Sequence, residues 1–205
     1  MPDIVQVTAK PLPEKIFDTE KVGISRKTHE EHHKLYQGYV NKTNEIRKAL
    51  SELTSDDFGK ANQSYSLIRS LKVDYTFALG GVKNHELYFD NLGGGTSEPS
   101  AELNAAIVKA FGSFDRWAAD LKATGIAARG WVWLGYDHED GSLFNYIGDA
   151  QNTFPIWNAS ALLAMDTYEH AYYLDFQTAR AKYLDAFVQM IDWQTVNARF
   201  ANARK

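Results

Sequence analysis

The chain has 205 residues, 44% of them apolar and 13% aromatic, enough for one good-sized domain or two small ones sharing a core. A formal net charge of −4 excludes a global basic field that would draw the chain to nucleic acid or an anionic membrane. The lack of cysteine excludes disulfides, zinc ribbons, iron–sulfur clusters and thiol nucleophiles, so metal ligands must come from the six histidines and from Asp or Glu.

In chain order, residues 1–22 carry three prolines and little periodicity, and read as an irregular arm. They show no basic start followed by an apolar run, and no stretch reaches 18 apolar residues, so the expectation is a cytoplasmic protein with no membrane span. From Ser25, a candidate N-cap, to about Glu52 the pattern is helical: Ile24, Leu35, Tyr36, Tyr39, Ile46 and Leu50 fall within one arc about 120° wide. A second helix is predicted over 64–92, with Leu67, Leu71, Tyr75, Phe77 and Leu87 as its apolar positions. Within it Gly80–Gly81 either breaks the helix or lets another backbone approach. "LGGGTSEPS" (92–100) is a loop and the predicted domain boundary. Residues 101–125 read as helix, "GWVWLGYD" (130–137) and "SLFNYIGDA" (142–150) as a hairpin, 161–169 as a third strand, and 172–199 as helix. The predicted class is α+β: an N-terminal antiparallel helical hairpin over 1–92, and a C-terminal mixed α/β domain over 101–205 with a small three-stranded antiparallel sheet.

The segment "THEEHHKLYQGYV" (28–40) contains H-E-x-x-H from His29 to His33, the spacing of zinc metallopeptidases. On the helix wheel His32 lies in the apolar arc, His29 at its edge and His33 on the polar side, so His29 and His33 are expected at the surface. Two histidines aimed apart do not make a zincin site. A buried His32 is equally served by one hydrogen bond in a core. "DTYEHAYY" (166–173) sets Asp166 and His170 four apart at the mouth of a predicted helical run, and "GGVKNHELYF" (80–89) sets His85 in an aromatic cluster. Three imidazoles and one carboxylate suit Mn, Fe or Zn better than Mg or Ca. A di-iron carboxylate site needs two Glu-x-x-His pairs, and only Glu30 with His33 fits.

These segments together resemble the iron/manganese superoxide dismutase family. "DTYEHAYYLDF" (166–176) is similar to the family's Asp-x-Trp-Glu-His-Ala-Tyr signature, and "KYLDAF" and "IDW" follow at matching spacing. "GGVKNHELYFDNL" (80–92) resembles its Gly-rich Asn-His segment, and "GWVWLGY" (130–136) its tryptophan strand. The resemblance implies a dismutase that converts two superoxide anions and two protons to O2 and H2O2, using one Mn or Fe ion per chain. It implies His32, His85, Asp166 and His170 as metal ligands, with His29 as the alternative to His32. It also implies Tyr39 as gateway tyrosine, Gln151 as the glutamine hydrogen-bonded to solvent at the metal, Tyr173 as a funnel aromatic, and Trp131, Trp133 and Phe89 as walls. Arg180 stands as a local attractor for an anion. Glu169 resembles the glutamate that reaches the partner subunit's His170, implying a homodimer, with a tetramer also open. Gln151 present, with Gly81 at the iron-type glutamine position, favours manganese. Two departures stand out. Tyr168 replaces the signature tryptophan, and Tyr36 stands where many members carry a histidine. They leave open an alternative: a metal-binding relative that keeps the fold without dismutation.

Overall fold

A computed structural model describes residues 4–95, 97–153 and 156–205, so the first three residues of the arm and Thr96 of the linker lie outside the described residues. The first half is a helical hairpin. Helix α1 (Arg26–Ser51) and helix α3 (Leu67–Asp90) pack together, joined by a short helix α2 (Ser55–Gly59). Ser25 caps α1, its hydroxyl accepting from the Thr28 amide at 3.2 Å. Asp175, from the far end of the chain, accepts from the Ser25 amide and the Thr28 hydroxyl, a carboxylate at the positive end of a helix. The arm is not wholly irregular: Glu14–Val22 forms a 3-10 helix. Helix α2 was not foreseen, although Thr54 and Asp57 form its reciprocal capping box.

The second half begins with α4 (Ala101–Phe111) and α5 (Phe114–Ala127). The single helix expected over 101–125 is broken because Gly112 closes α4 at φ +91° and Ser113 caps α5. Strands β1 (Trp131–Asp137), β2 (Leu143–Gly148) and β3 (Ala159–Asp166) follow, in the order β2-β1-β3 and wholly antiparallel. The sheet agrees with the expected class, but β3 ends at Asp166, three residues earlier than predicted. A 3-10 turn (Glu169–Ala171) then leads to α6 (Tyr173–Phe176), α7 (Arg180–Gln189) and α8 (Trp193–Ala203). The predicted continuous C-terminal helix is thus three helices. Asp192 interrupts it by capping α8 through the Gln194 and Thr195 amides.

Alternation decides what the sheet buries. Val132 and Leu134 share one face of β1 and Trp131 and Trp133 the other, all within 6% of full burial. Trp117 of α5 is fully buried and packs edge-on against Trp193 at 5.3 Å between ring centroids. Truncating it to alanine leaves a ring-sized void and is expected to cost about 3–5 kcal/mol, read as a lowered urea midpoint. An unchanged midpoint would show that α5 does not anchor this core. Cross-links tie the halves together: Arg199 of α8 pairs with Asp90 at 2.7 Å and donates to the Leu162 carbonyl, and Lys15 holds Asp192 at 2.6 Å.

Some predicted core positions face out. Leu35, Leu67 and Phe77 are 37%, 54% and 38% exposed. The inward face of α3 is instead Ala78, Gly81, Val82, Asn84, His85, Tyr88 and Phe89, because the hairpin packs along a stripe that is small at its start and aromatic around His85. Gly80 and Gly81 do not break α3 but permit close approach. A side chain at 80 would strike the Gln151 carbonyl, and one at 81 would sit 2.7 Å from the Tyr39 ring.

Candidate metal centre

His32 of α1, His85 of α3, Asp166 at the end of β3 and His170 in the 3-10 turn offer ligand atoms that all lie within 4.8 Å of one another. His32, His85 and Asp166 are buried, and His170 is partly so. The focus is Asp166 Oδ2, with the Nε2 atoms of His32, His170 and His85 at 3.1, 3.2 and 3.7 Å. A four-residue separation suits one helical turn or a tight turn, and the structure has the tight turn between Asp166 and His170. The chain leaves the strand at Asp166 and turns, and the Tyr168 amide donating to Asp166 Oδ1 at 2.9 Å closes that turn.

The donor set fits a metal ion. His85 Nδ1 donates to the Gly81 carbonyl at 2.6 Å, so the proton sits on Nδ1 and the Nε2 lone pair is free. That Nε2 is buried and has no hydrogen-bond partner among the described residues, while it faces a carboxylate and two further imidazoles. A buried polar atom left without a partner is costly, and coordination would satisfy it. A backbone carbonyl that sets the tautomer is the usual support for a ligating histidine.

Electrostatics point the same way. Burial pushes the His85 imidazole down to about 3, with His32 nearby adding to the effect. Burial likewise takes His32 down to about 4. Both are therefore neutral at pH 7, the form that ligates. Burial by itself would raise Asp166, but the adjacent His170 and His32 outweigh it and hold the carboxyl below the usual range. Burial opposes protonation of His170, yet the Asp166 carboxylate overrides it and raises that imidazole.

Around the cluster, Tyr39 lies with its ring centroid 5.3 Å from that of His85, and its hydroxyl accepts from Gln151 Nε2 at 3.4 Å. Gln151 Oε1 accepts from Trp131 Nε1 at 3.1 Å, so the amide orientation follows from the indole. Trp131 and Phe89 wall the site, at 5.1 Å from His85 and 5.0 Å from His32. Tyr168 stacks on His170 at 5.2 Å and 16°, and its hydroxyl donates to the Asp149 carbonyl at 3.4 Å. Burial pushes this phenol up to about 12. Tyr36 is buried, accepting from the Lys10 amide and donating to Glu86. Tyr173 is 50% exposed and Glu169 is exposed.

Two expectations need correction. His29 is not a surface residue: it is fully buried, with Nε2 2.7 Å from the Thr19 hydroxyl, because the 3-10 helix of the arm covers that side of α1. His29 also lies outside the cluster, so it is not grouped with the other candidate ligands. His33 is only partly exposed, its Nε2 donating to the Lys10 carbonyl. With His29 and His33 bound to different partners and Glu30 exposed, H-E-x-x-H does not assemble a zinc site. Arg180 is partly exposed, and its guanidinium donates to two neutral groups, the Tyr172 hydroxyl and the Ala128 carbonyl.

Sequence reasoning missed Tyr88, Tyr183 and Asn84. Tyr88 is buried, 5.1 Å from the His32 ring, and shares a 3.2 Å hydrogen bond with Tyr183, whose hydroxyl reaches the Asp166 carbonyl at 2.7 Å. Asn84 donates to the Gln151 carbonyl at 3.2 Å. The available signal was spacing: Tyr88 is one turn beyond His85 on the same face.

Comparison with known proteins agrees with this geometry. Residues 12–93 match the family model for the alpha-hairpin domain of iron/manganese superoxide dismutases, and 99–199 match the model for their C-terminal domain. The chain is 45% identical over 185 residues to a superoxide dismutase [Fe] of Aquifex aeolicus, covering 89% of this chain and 87% of that relative. It is 35% identical over 186 residues to a mitochondrial superoxide dismutase [Mn] of Glossina morsitans morsitans (88% and 82% covered). It is 32% identical over 176 residues to superoxide dismutase [Mn] 1 of Halobacterium salinarum (85% and 84% covered). With both halves matched and relatives 32–45% identical over most of their length, the chain belongs to the iron/manganese superoxide dismutase family.

Proposed function

We propose that His32, His85, Asp166 and His170 hold one manganese or iron ion, with the segment 1–92 supplying two ligands and 101–205 the other two. The substrate is superoxide, the products are O2 and H2O2, and the chain is an oxidoreductase. The observation that carries the assignment of ligands is the unpaired, buried His85 Nε2 aimed at Asp166 and its two other histidines.

The ion, when bound, supplies one-electron cycling between its divalent and trivalent states. The chain's own residues do the rest. Three neutral imidazoles and one carboxylate leave a divalent or trivalent ion with residual positive charge, a sink for an anionic substrate. Trp131 fixes Gln151, and Gln151 Nε2 with the Tyr39 hydroxyl forms a polar edge that holds a proton next to the cluster. Burial and the Asp166 charge raise the Tyr39 phenol, so it stays protonated and able to donate. Each ~1.4 kcal/mol of bias between two protonation states shifts their ratio tenfold, which is how such partners tune a metal.

Manganese is the favoured ion in this reading. Gln151 occupies the solvent-bonding place, and position 81 has no room for a competing glutamine while Tyr39 stays put. Glu169, exposed beside His170, supports a homodimer in which it reaches the partner's His170, and a cytoplasmic setting completes the reading. No described helix is long and apolar enough to cross a membrane. Nothing in the site favours the relative without dismutation. The test is metal analysis of natively expressed protein, followed by superoxide-quenching assays on separately reconstituted Mn and Fe forms. The manganese form is expected to be the more active by several-fold. An active iron form beside a silent manganese form reverses the metal preference, and inactivity of both well-loaded forms overturns the assignment of the site.

A further inference from the structure

Beyond Trp131, which walls the metal centre and fixes Gln151, the same sheet face carries two more oxidisable rings, Trp133 and Tyr146, and neither takes part in the dismutation described above. Trp131 is fully buried and meets His85 edge-on at 5.1 Å. Trp133, two residues on and on the same face of β1, stacks over Trp131 at 6.3 Å and 17°. Tyr146 stands opposite Trp133 in the register of β2 and stacks on it at 5.0 Å and 28°. β2 is an edge strand, and Tyr146 on it is only partly buried.

The glycine pattern keeps these rings flat on one another. Gly148 is paired with Trp131, and any side chain there would run into the Trp133 ring. Gly135 is paired with Phe144, and a Cβ there would lie 2.7 Å from the Phe144 ring. Glycine in a strand interior weakens it, and marks a close approach. Gly148 opens directly onto the stack at Trp133, and Gly135 onto Phe144, whose ring lies 5.3 Å from that of Tyr146.

We propose that Trp131, Trp133 and Tyr146 form a hole-transfer ladder that carries oxidising equivalents from the metal site to the edge of the sheet, a reading that rests on the metal assignment above. The oxidant is the enzyme's own product. Reducing H2O2 to two waters takes two electrons and two protons. One electron is that already held by the reduced site. The other comes from Trp131, which becomes an indole radical cation. Trp133 refills Trp131, and Tyr146 refills Trp133. Tyr146 releases its phenolic proton to solvent and ends as a neutral tyrosyl radical. The net consumption is one H2O2, one proton and two electrons with one phenolic hydrogen ion, giving two waters. Face-to-face rings 5–6.3 Å apart support single-step transfer. A tyrosine able to shed its proton to water is the natural terminus, and the hole is drawn away from the ligating imidazoles.

Metal content and dismutation are measured first on the same sample, so that a failure of the metal assignment appears there and not in the next step. The loaded protein is then treated with H2O2 and a nitroso spin trap, and adducts are mapped by peptide mass spectrometry. The trap is expected on Tyr146, and not in metal-free protein given the same peroxide. In Tyr146→Phe the adduct is lost and oxidised Trp131 and Trp133 rise several-fold, while the activity before peroxide is unchanged. In Trp133→Phe the ladder is cut, and Tyr146 labelling falls although Tyr146 remains. A loaded wild type with no label at Tyr146, equal labelling without metal, or full labelling in Trp133→Phe overturns the proposal.

Discussion

An Asp166→Ala variant is expected to lose dismutation by more than about 100-fold and to retain little metal, since replacing even the outer partners of ligands costs about 10–100-fold. Asp166 is the shared focus of the cluster: its Oδ2 faces the Nε2 atoms of all three histidines, and it is the only carboxylate among the four. Removing it leaves three imidazoles to hold a cation with no counter-charge in a buried site, where an unpaired charge is strongly disfavoured. The backbone role of the residue survives the change, because the Tyr183 hydroxyl bonds its carbonyl and its Cα partner on β1 is Trp131. Folded, metal-poor and inactive protein is the expected outcome. Normal metal content with activity within a few-fold of wild type would sink the ligand assignment.

Metal-free protein should lose stability steeply on acidification through weakly acid pH. His29, His32 and His85 are held near 4, 4 and 3 by burial, against 6.5 for the free side chain. Below about 6.5 the unfolded chain takes up protons that the folded chain refuses. The stability these groups contribute is therefore complete above about pH 6.5 and is lost as pH falls toward 4. Each group accounts for 1.36 kcal/mol per pH unit, so three give a slope on the order of 4 kcal/mol per pH unit. His170, raised in the fold, works the other way: its stability is fully present below 6.5 and is lost as pH rises through its folded value, so it acts above the window of the other three and offsets part of the difference between pH 7.5 and 5.5. Asp166, depressed in the fold, enters only at lower pH, below the ordinary carboxylate range. Urea unfolding of metal-free protein at pH 7.5 and 5.5 measures this directly. Equal midpoints would mean that these histidines are not buried in the neutral form. Loaded protein should resist the fall until protons displace the ion, because ligation requires the deprotonated imidazoles.

Much of the site could be read from residue order because it is built on local spacing. The wheel placed His32 inward and Ser25 at the start of α1, and the structure has both. The Gly80–Gly81 pair read as either a helix break or a point of close approach, and the structure has the second, with the Gln151 backbone at Gly80 and the Tyr39 ring at Gly81. The alternating aromatic run of β1 and the turn after it produced the hairpin. Each of these depends on periodicity or capping within a few residues, which is information the chain carries locally.

Other features have no local cause. His29 looked marginal on its helix, and only the arm folding across α1 buries it against Thr19. Leu35, Leu67 and Phe77 are apolar in pattern yet exposed, since which stripe of a helix is inner depends on where its partner packs. Gln151 meets Trp131 and Tyr39 across 20 and 112 residues of chain. By itself the sequence determined the element types, the helical hairpin and small antiparallel sheet, and the candidate histidines and carboxylate, because hydrophobic period, turn residues and side-chain chemistry act over short range. Only the tertiary structure decided that His32 and not His29 joins His85, Asp166 and His170, and that the His85 Nε2 is left open toward them. Convergence of side chains from four elements is a property of packing, which no local period encodes.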